Sequence, residues 1–465
     1  MAEPFASRRR PRGRHRRHDR VRRRRLVGFL VLAAVAVCGA AWIDGDGEDG
    51  PRGVAAGDTS VPGTGVGRSA NGGIAEAPPG VASREPATAT PSKAGSTRPG
   101  AGTVPGPTGR PPSSTAPAPT APVADPITLA FAGDLLPHMP LNRAAATFGR
   151  AVGRPYDYAP MLAPLQPIVG GADLALCHLE VPIAPSPDRV RGYPVFGAPP
   201  ELVAGVASAG YDGCSTASNH TLDQGLDGIK ATLDTFDVAH LGHTGSARSA
   251  QEAATPRIYS VKGVKVASLS YAYGFNGYRL PAGAPWAANQ IDPNRILADA
   301  HAARAAGARL VVVSLHWGTE NLHAPNAEQR ALAPVLTASP DIDVLIGHHA
   351  HVVQPIEWIN GKPVVFGLGN QLSNQTRTEQ RDGLTVVLTA QPGDGGRYHV
   401  TGLKAVPTYM DGLGWRVLPI PQTLADPATA PALRAALRAS YDRTMATVQA
   451  SGPVLGLTAD PLPPG

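Results

Sequence analysis

Three histidines fall within four residues in Gly347-His348-His349-Ala350-His351. Neutral imidazole is the commonest metal ligand. The run before them, Val344-Leu345-Ile346, suits a strand covered on both faces. Gly347 is expected to let the chain turn. In an extended segment, residues two apart share a side, so His349 and His351 should aim at one site and His348 away from it. Other stretches end in the same way. Ile127–Ala132 runs into Gly133-Asp134, and Asp173–Cys177 into His178-Leu179-Glu180. Tyr211–Thr216 runs into Ser218-Asn219-His220, and Arg309–Leu315 into His316-Trp317-Gly318. In open α/β sheets the ligand crevice lies at the carboxyl ends of the strands. Asp134, Glu180, Asn219, His316, His349 and His351 are therefore candidate metal ligands gathered on one rim.

Mixed nitrogen and oxygen ligands suit zinc, manganese or iron better than calcium. This set exceeds what one tetrahedral ion takes, and fits two ions roughly 3.5–4 Å apart with a bridging carboxylate. Divalent ions lower the pKa of bound water and supply hydroxide near neutral pH. They also neutralise charge that builds on oxygen in a tetrahedral or phosphoryl transition state. His220, beside Asn219, is the candidate general acid, and Asp223 is placed to orient it.

The elements that must position these residues follow a βα pattern. Helical stretches are expected near 158–169, 200–209, 225–236, 293–306 and 326–338, between the strands named above. Residues 257–261 and 264–271 read as a hairpin around Lys262-Gly263. Antiparallel strands are expected at 352–359, 363–368, 383–389 and 397–405. The pattern argues for an α/β core with a mixed or second sheet. A short Ala/Arg-rich helix and a Pro-rich tail, 426–465, follow the folded domain at 126–425.

The first 125 residues differ in kind. Residues 1–25 carry twelve Arg against Glu3 and Asp19, a balance of 12 − 2 = +10. The whole chain is +6, so the remaining residues sum to 6 − 10 = −4. The basic character belongs to a tail, and a nucleic-acid surface on the folded part is not expected. Leu26–Ile43 is an uncharged apolar segment near the lower limit of about 17–25 residues for a span. Arg before it and Asp44, Asp46, Glu48 and Asp49 after it place the N-terminus in the cytoplasm and the rest outside. An uncleaved single-pass anchor at the cell membrane is the favoured reading, and a cleaved signal peptide competes with it. Residues 44–125 are a Gly/Pro/Ala/Ser/Thr-rich linker that cannot bury enough apolar surface to order itself. As a flexible coil it spans roughly 50 Å. Cys177 and Cys214 form a disulfide or stand as two free buried thiols, and both remain open.

The motif order is specific as a set. Gly133-Asp134, His178-Leu179-Glu180, Ser218-Asn219-His220 with Asp223 and Gly225, His316-Trp317-Gly318 with Glu320, Gly347–His351 with Gln354, and Gly367-Leu368-Gly369-Asn370 resemble the CapA-type poly-γ-glutamate capsule-synthesis family. The resemblance covers about 127–372. It implies an α/β four-layer sandwich of the metallo-dependent phosphatase kind, with two mixed β-sheets flanked by helices. It also implies the metal ligands named above and His220 as the acid. Leu136 stands where calcineurin-like enzymes carry a histidine, so one of the one or two ion positions lacks a ligand. His138 is expected on a loop nearby. His178 replaces the family's usual Asn and either adds a ligand or sits behind the ligands, the second being favoured. Glu320 and His323 line the pocket or a solvated loop, and Trp317, Tyr271 and Tyr273 either wall the site or pack. His243 is expected in a loop, and Asn370 at the rim.

The expected function is that of a membrane-anchored, extracytoplasmic, metal-dependent hydrolase or transferase. It would act on an anionic envelope polymer or a phosphoester. Two alternatives are a calcineurin-like phosphodiesterase, and a non-catalytic module that binds polymer or serves a membrane synthase or export complex.

Overall fold

The computed structural model describes residues 125–463. The Arg-rich block, the apolar segment 26–43 and the linker up to residue 124 lie outside the described residues. Among the described residues no helix is long and apolar enough to cross a membrane.

Two mixed sheets form the centre. The first has the order β14-β13-β12-β1-β2-β3-β4, with β11 added on β1 and β15 on β13. Its strands are β1 (Ile127–Leu136), β2 (Leu174–Leu179), β3 (Gly213–Ser215) and β4 (Gly242–Thr244), then β11 (Asn370–Ser373), β12 (Asp382–Pro392), β13 (Tyr398–Asp411), β14 (Arg416–Pro419) and β15 (Leu457–Ala459). β1 to β4 run parallel, and β12 returns antiparallel to β1. The second sheet has the order β5-β6-β7-β8-β10-β9. It contains β5 (Arg257–Val261), β6 (Val264–Ala272), β7 (Leu310–His316), β8 (Val344–His348), β9 (Ile356–Ile359) and β10 (Lys362–Val365). β6, β7, β8 and β10 are parallel, and β5 and β9 are antiparallel edges.

Alternation along β1 explains the layering. Leu129 and Phe131 face Val266, Val312, Val344 and Ile346 in the apolar layer between the sheets. Ala130 and Ala132 face the opposite layer, with Leu162, Val203 and Phe236. Ala267, Val311, Val313 and Leu345 cover the outer side of the second sheet, against helices Pro293–Ala305 and Ala327–Ala338. The expected pair of mixed sheets flanked by helices is the observed architecture.

Several local expectations change. Residues 158–169 form three short helical turns, Ala159–Leu162, Ala163–Leu165 and Gln166–Val169. Pro160, Pro164 and Pro167 each occupy the first positions of a turn and interrupt the helix there. β1 continues to Leu136, which is 2% exposed and packs in the outer apolar layer. A helix at Met139–Ala151, strands β11 and β14, and the edge strand β15 were not expected. His243 lies in β4 rather than in a loop. The helix after residue 425 is not short: Pro431–Val448 crosses the first sheet, and Ser440 and Arg443 bond Asp382 on β12. Cys177 and Cys214 are directly opposite in the β2–β3 register, and a disulfide joins them.

Candidate metal centre

The carboxyl ends of β1, β2, β7 and β8 meet at one rim, and the backbone there is unusually close. A Cβ on Gly133 would lie 2.0 Å from the Gly369 carbonyl oxygen, and one on Gly347 1.8 Å from that of Phe366. Gly347 is therefore required for strand contact inside β8, and not for a turn as expected. The turn is made by His349 and His351, whose φ values are 87° and 57°. Left-handed backbone at a non-glycine residue costs about 1–3 kcal/mol and persists only where the surroundings impose it.

This geometry also corrects the expectation for His348. The segment is not extended past β8, so alternation does not apply. His348 Nδ1 lies 3.2 Å from Asp134 Oδ1. The other oxygen, Oδ2, accepts the His349 N–H at 3.1 Å and lies 3.5 Å from His351 Nδ1. His351 Nε2 lies 3.7 Å from Glu180 Oε1, and His316 Nε2 lies 4.0 Å from the same oxygen. His316 Nε2 is 2.9 Å from Asn219 Oδ1. The His349 ring lies between, its centroid 4.7 Å from His316 and 6.1 Å from His351. All the residues proposed as ligands thus occupy one buried cluster.

The turn that carries Asn219 is held by its own hydroxyls. Thr221 Oγ1 accepts from Ser218 N–H at 2.8 Å, and Ser218 Oγ donates to the Glu180 carbonyl. His220 Nδ1 and Asp223 Oδ2 are 2.7 Å apart, and the same oxygen accepts the Phe196 N–H at 2.7 Å. The Phe196 ring meets the His220 ring edge-on at 4.7 Å. Asn276 joins this pair to the cluster. Its Oδ1 accepts from Asn219 Nδ2 at 3.2 Å, and its Nδ2 is 3.4 Å from His220 Nδ1.

The electrostatics are polarised. Burial would raise the Asp134 carboxyl, but hydrogen bonds from His348 and His351 hold it well below the ordinary range. Burial pushes Glu180 well above it. Burial would lower His351, yet Glu180 and Asp134 beside it lift it to about 9. Burial, with His351 nearby, lowers His349 to about 4. Metal binding at these two groups would require both to be without their protons.

The residues fit a metal. Both Glu180 carboxylate oxygens are buried and lack a hydrogen-bond partner, as does His349 Nδ1. A buried carboxylate left so costs several kcal/mol unless a cation or donor meets it. Asp134, Glu180 and His351 offer ligand atoms within 4.8 Å of one another. Asp134, His178 and His348 pass the same distance criterion. The rings of His178 and His348, however, are stacked at 4.0 Å with their planes 14° apart. An ion bound to imidazole lies in the ring plane, and it cannot lie in both of these planes at once.

The remaining expectations divide. Tyr273 meets His349 at 4.7 Å with the two rings tilted by 43°, whereas Tyr271 is buried in the core and bonds Asp299. Trp317 packs against Phe366 and donates to its carbonyl. His323 bonds the Val353 carbonyl, and Glu320 is exposed. His138 is half-buried, edge-on to Phe196 at 5.0 Å. Asn370 Oδ1 lies 3.1 Å from His351 Nδ1 and so orients that ring. Phe196, Asn276 and Ser215 had no sequence signal beyond the turn-forming Asn276-Gly277 pair.

The family model described as bacterial capsule synthesis protein PGA_cap matches residues 128–375. The "PGA biosynthesis protein CapA" of Bacillus subtilis is 33% identical over 194 residues, 40% of this chain and 49% of that protein. The "Capsule biosynthesis protein CapA" of Bacillus anthracis is 29% identical over 194 residues, 41% of this chain and 47% of that protein. The match thus spans about half the length of these curated relatives. A "probable polyglutamine synthesis accessory protein" of Mycobacterium tuberculosis is 27% identical over 217 residues, 43% of this chain and 55% of that protein. Among solved structures, the calcineurin-like phosphoesterase YfkN of Bacillus subtilis aligns at TM-score 0.38 and 15% identity, over 69% of this chain and 98% of that one. With more than half of the chain matched and the motif residues gathered at one rim, the protein belongs to the bacterial capsule synthesis protein PGA_cap family.

Proposed function

We propose that this chain is a metal-dependent hydrolase or transferase acting on an anionic envelope polymer or a phosphoester linked to one. The observation that carries this reading is Glu180, whose carboxylate is buried beside Asp134 and His351 with neither oxygen hydrogen-bonded. Asp134, Glu180, Asn219, His316, His349 and His351 would hold one or two divalent transition-metal ions such as zinc, manganese or iron. Bound there, such ions would lower the pKa of water and neutralise charge developing on oxygen. The chain's own residues supply the rest. Asp223 fixes the His220 tautomer with the proton on Nδ1, and it is itself held by the Phe196 N–H. That leaves His220 Nε2 facing outward, and when the ring carries its second proton this is the atom that gives it to a leaving group. Tyr273, tilted against the His349 ring and 42% exposed, forms an aromatic wall at the opening.

The relatives' names speak of PGA and capsule synthesis, which supports a polyglutamate-type polymer as substrate. We place the domain outside the cytoplasm, tethered by residues 26–43 through the linker. The buried Cys177–Cys214 disulfide suits an oxidising compartment.

Elemental analysis of the purified protein tests the reading. The parent should hold about one to two equivalents of transition metal. His349→Ala with His351→Ala should lose it, together with any metal-dependent shortening or transfer of poly-γ-glutamate. A parent that takes up no metal from zinc or manganese would sink the hydrolase reading and leave a tethered polymer-binding module.

A further inference from the structure

We propose that His178, backed by Ser215, is not a ligand but the residue that sets the orientation and tautomer of His316. This rests on the metal-centre reading given above. Three fully or nearly fully buried side chains form a line behind Asn219. Ser215 Oγ is 2.7 Å from His178 Nδ1, and His178 Nε2 is 2.9 Å from His316 Nδ1. His316 Nε2 is 2.9 Å from Asn219 Oδ1. Both nitrogens of both rings are thus committed, and every proton in the line is determined by its neighbours.

Two arrangements satisfy it. Asn219 Oδ1 can only accept, because its Nδ2 donates to Asn276. Without a cation, His316 therefore carries its proton on Nε2, His178 donates from Nε2 to His316 Nδ1, and Ser215 donates to His178 Nδ1. A cation that takes both Asn219 Oδ1 and His316 Nε2 needs the lone pair on Nε2. His316 must then carry its proton on Nδ1 and donate to His178 Nε2. His178 in turn donates from Nδ1 to Ser215 Oγ. The serine proton has a place to go, since the Cys177 carbonyl lies 3.4 Å from Ser215 Oγ. Each residue keeps one proton throughout, so the line reverses without gaining or releasing any. A group behind a ligand imidazole that accepts its second N–H holds the ring in plane and raises its basicity, and losing it costs about 10–100-fold in metal affinity. The stack of His178 on His348 fixes the relay ring itself.

The test uses the full-length protein, zinc competition against a chelating dye, and nitrogen-15 correlation spectra of the imidazoles. His178→Phe keeps a ring on His348 but removes both nitrogens. It should bind zinc about 10–100-fold more weakly. In the parent, zinc should move the His316 proton signal from Nε2 to Nδ1, and the imidazole signals of His349 and His351 in the metal-free variant should stay as in the parent. Ser215→Ala should weaken zinc in the same direction by less. Parent-like zinc affinity in His178→Phe, or a His316 signal that zinc leaves on Nε2, would overturn the role of His178 alone. A parent that binds no zinc would instead overturn the metal-centre reading, a different and separable failure.

Discussion

Two buried carboxylates show opposite uses of the same chemical group. Asp382, at the start of β12, receives two hydrogen bonds from Arg443, at 2.8 and 2.9 Å, and one from Ser440 at 2.6 Å. Burial raises its pKa, and these donors pull it back. Glu180 receives no hydrogen bond on either oxygen, and burial pushes it much further. Asp382 latches the C-terminal helix to the sheet, so the chain supplies all its partners. Glu180 sits where strand ends converge, and the chain supplies a carboxylate without completing it. A buried polar group that the fold leaves open marks a place built for something else to bind. Stability is given up at the rim and recovered in the latch.

Adding metal separates the two most strongly. Zinc at about 100 times its dissociation constant should stabilise the parent by about 2.7 kcal/mol. That gain should persist in Asp382→Asn and vanish in Glu180→Gln, as read by urea unfolding with and without zinc. An equal zinc response in both variants would end the distinction.

In chelator-treated protein the same two isosteric changes should have opposite signs. Asp382→Asn should lower stability by about 1–3 kcal/mol, because Ser440 and Arg443 lose a charged acceptor. Glu180→Gln should raise it by about 1 kcal/mol, because an uncompensated buried acid is removed. Losses of similar size in both would show that Glu180 is an ordinary structural carboxylate.

The last contrast is the pH slope of the rim. His349 is held at about 4 against an ordinary value of about 6.5. Between these values the unfolded chain binds a proton that the folded chain refuses. The metal-free protein should therefore lose stability as pH falls through that window. His349→Gln should flatten part of the slope and Asp382→Asn should not, as followed by urea midpoints from about pH 7 to 4.5. A slope unchanged in His349→Gln would remove this imidazole from the account.

The sequence by itself determined most of the strands and the polar residues at their ends. Apolar runs such as Val311–Leu315 and Val344–Ile346, each followed by a histidine or a Gly-His pair, are local signals, and local signals survive in one dimension. The identity of the rim was legible for the same reason: Asp134, Glu180, Asn219, His316, His349 and His351 each follow a recognisable strand. What only the tertiary structure decided depends on pairs far apart in sequence. His348 ends β8 on the side of Val344 and Ile346 and so meets Asp134, 214 residues away, while His349 and His351 reach the same cluster through left-handed backbone that no pattern announces. His178 reaches His316 across 138 residues, and Asn276 joins Asn219 to His220 from a loop without a motif. The Cys177–Cys214 bond likewise waited on the β2–β3 register. Periodicity says which face a side chain takes within its own strand. Only the packing of one sheet on the other says which nitrogen of a ring meets which oxygen.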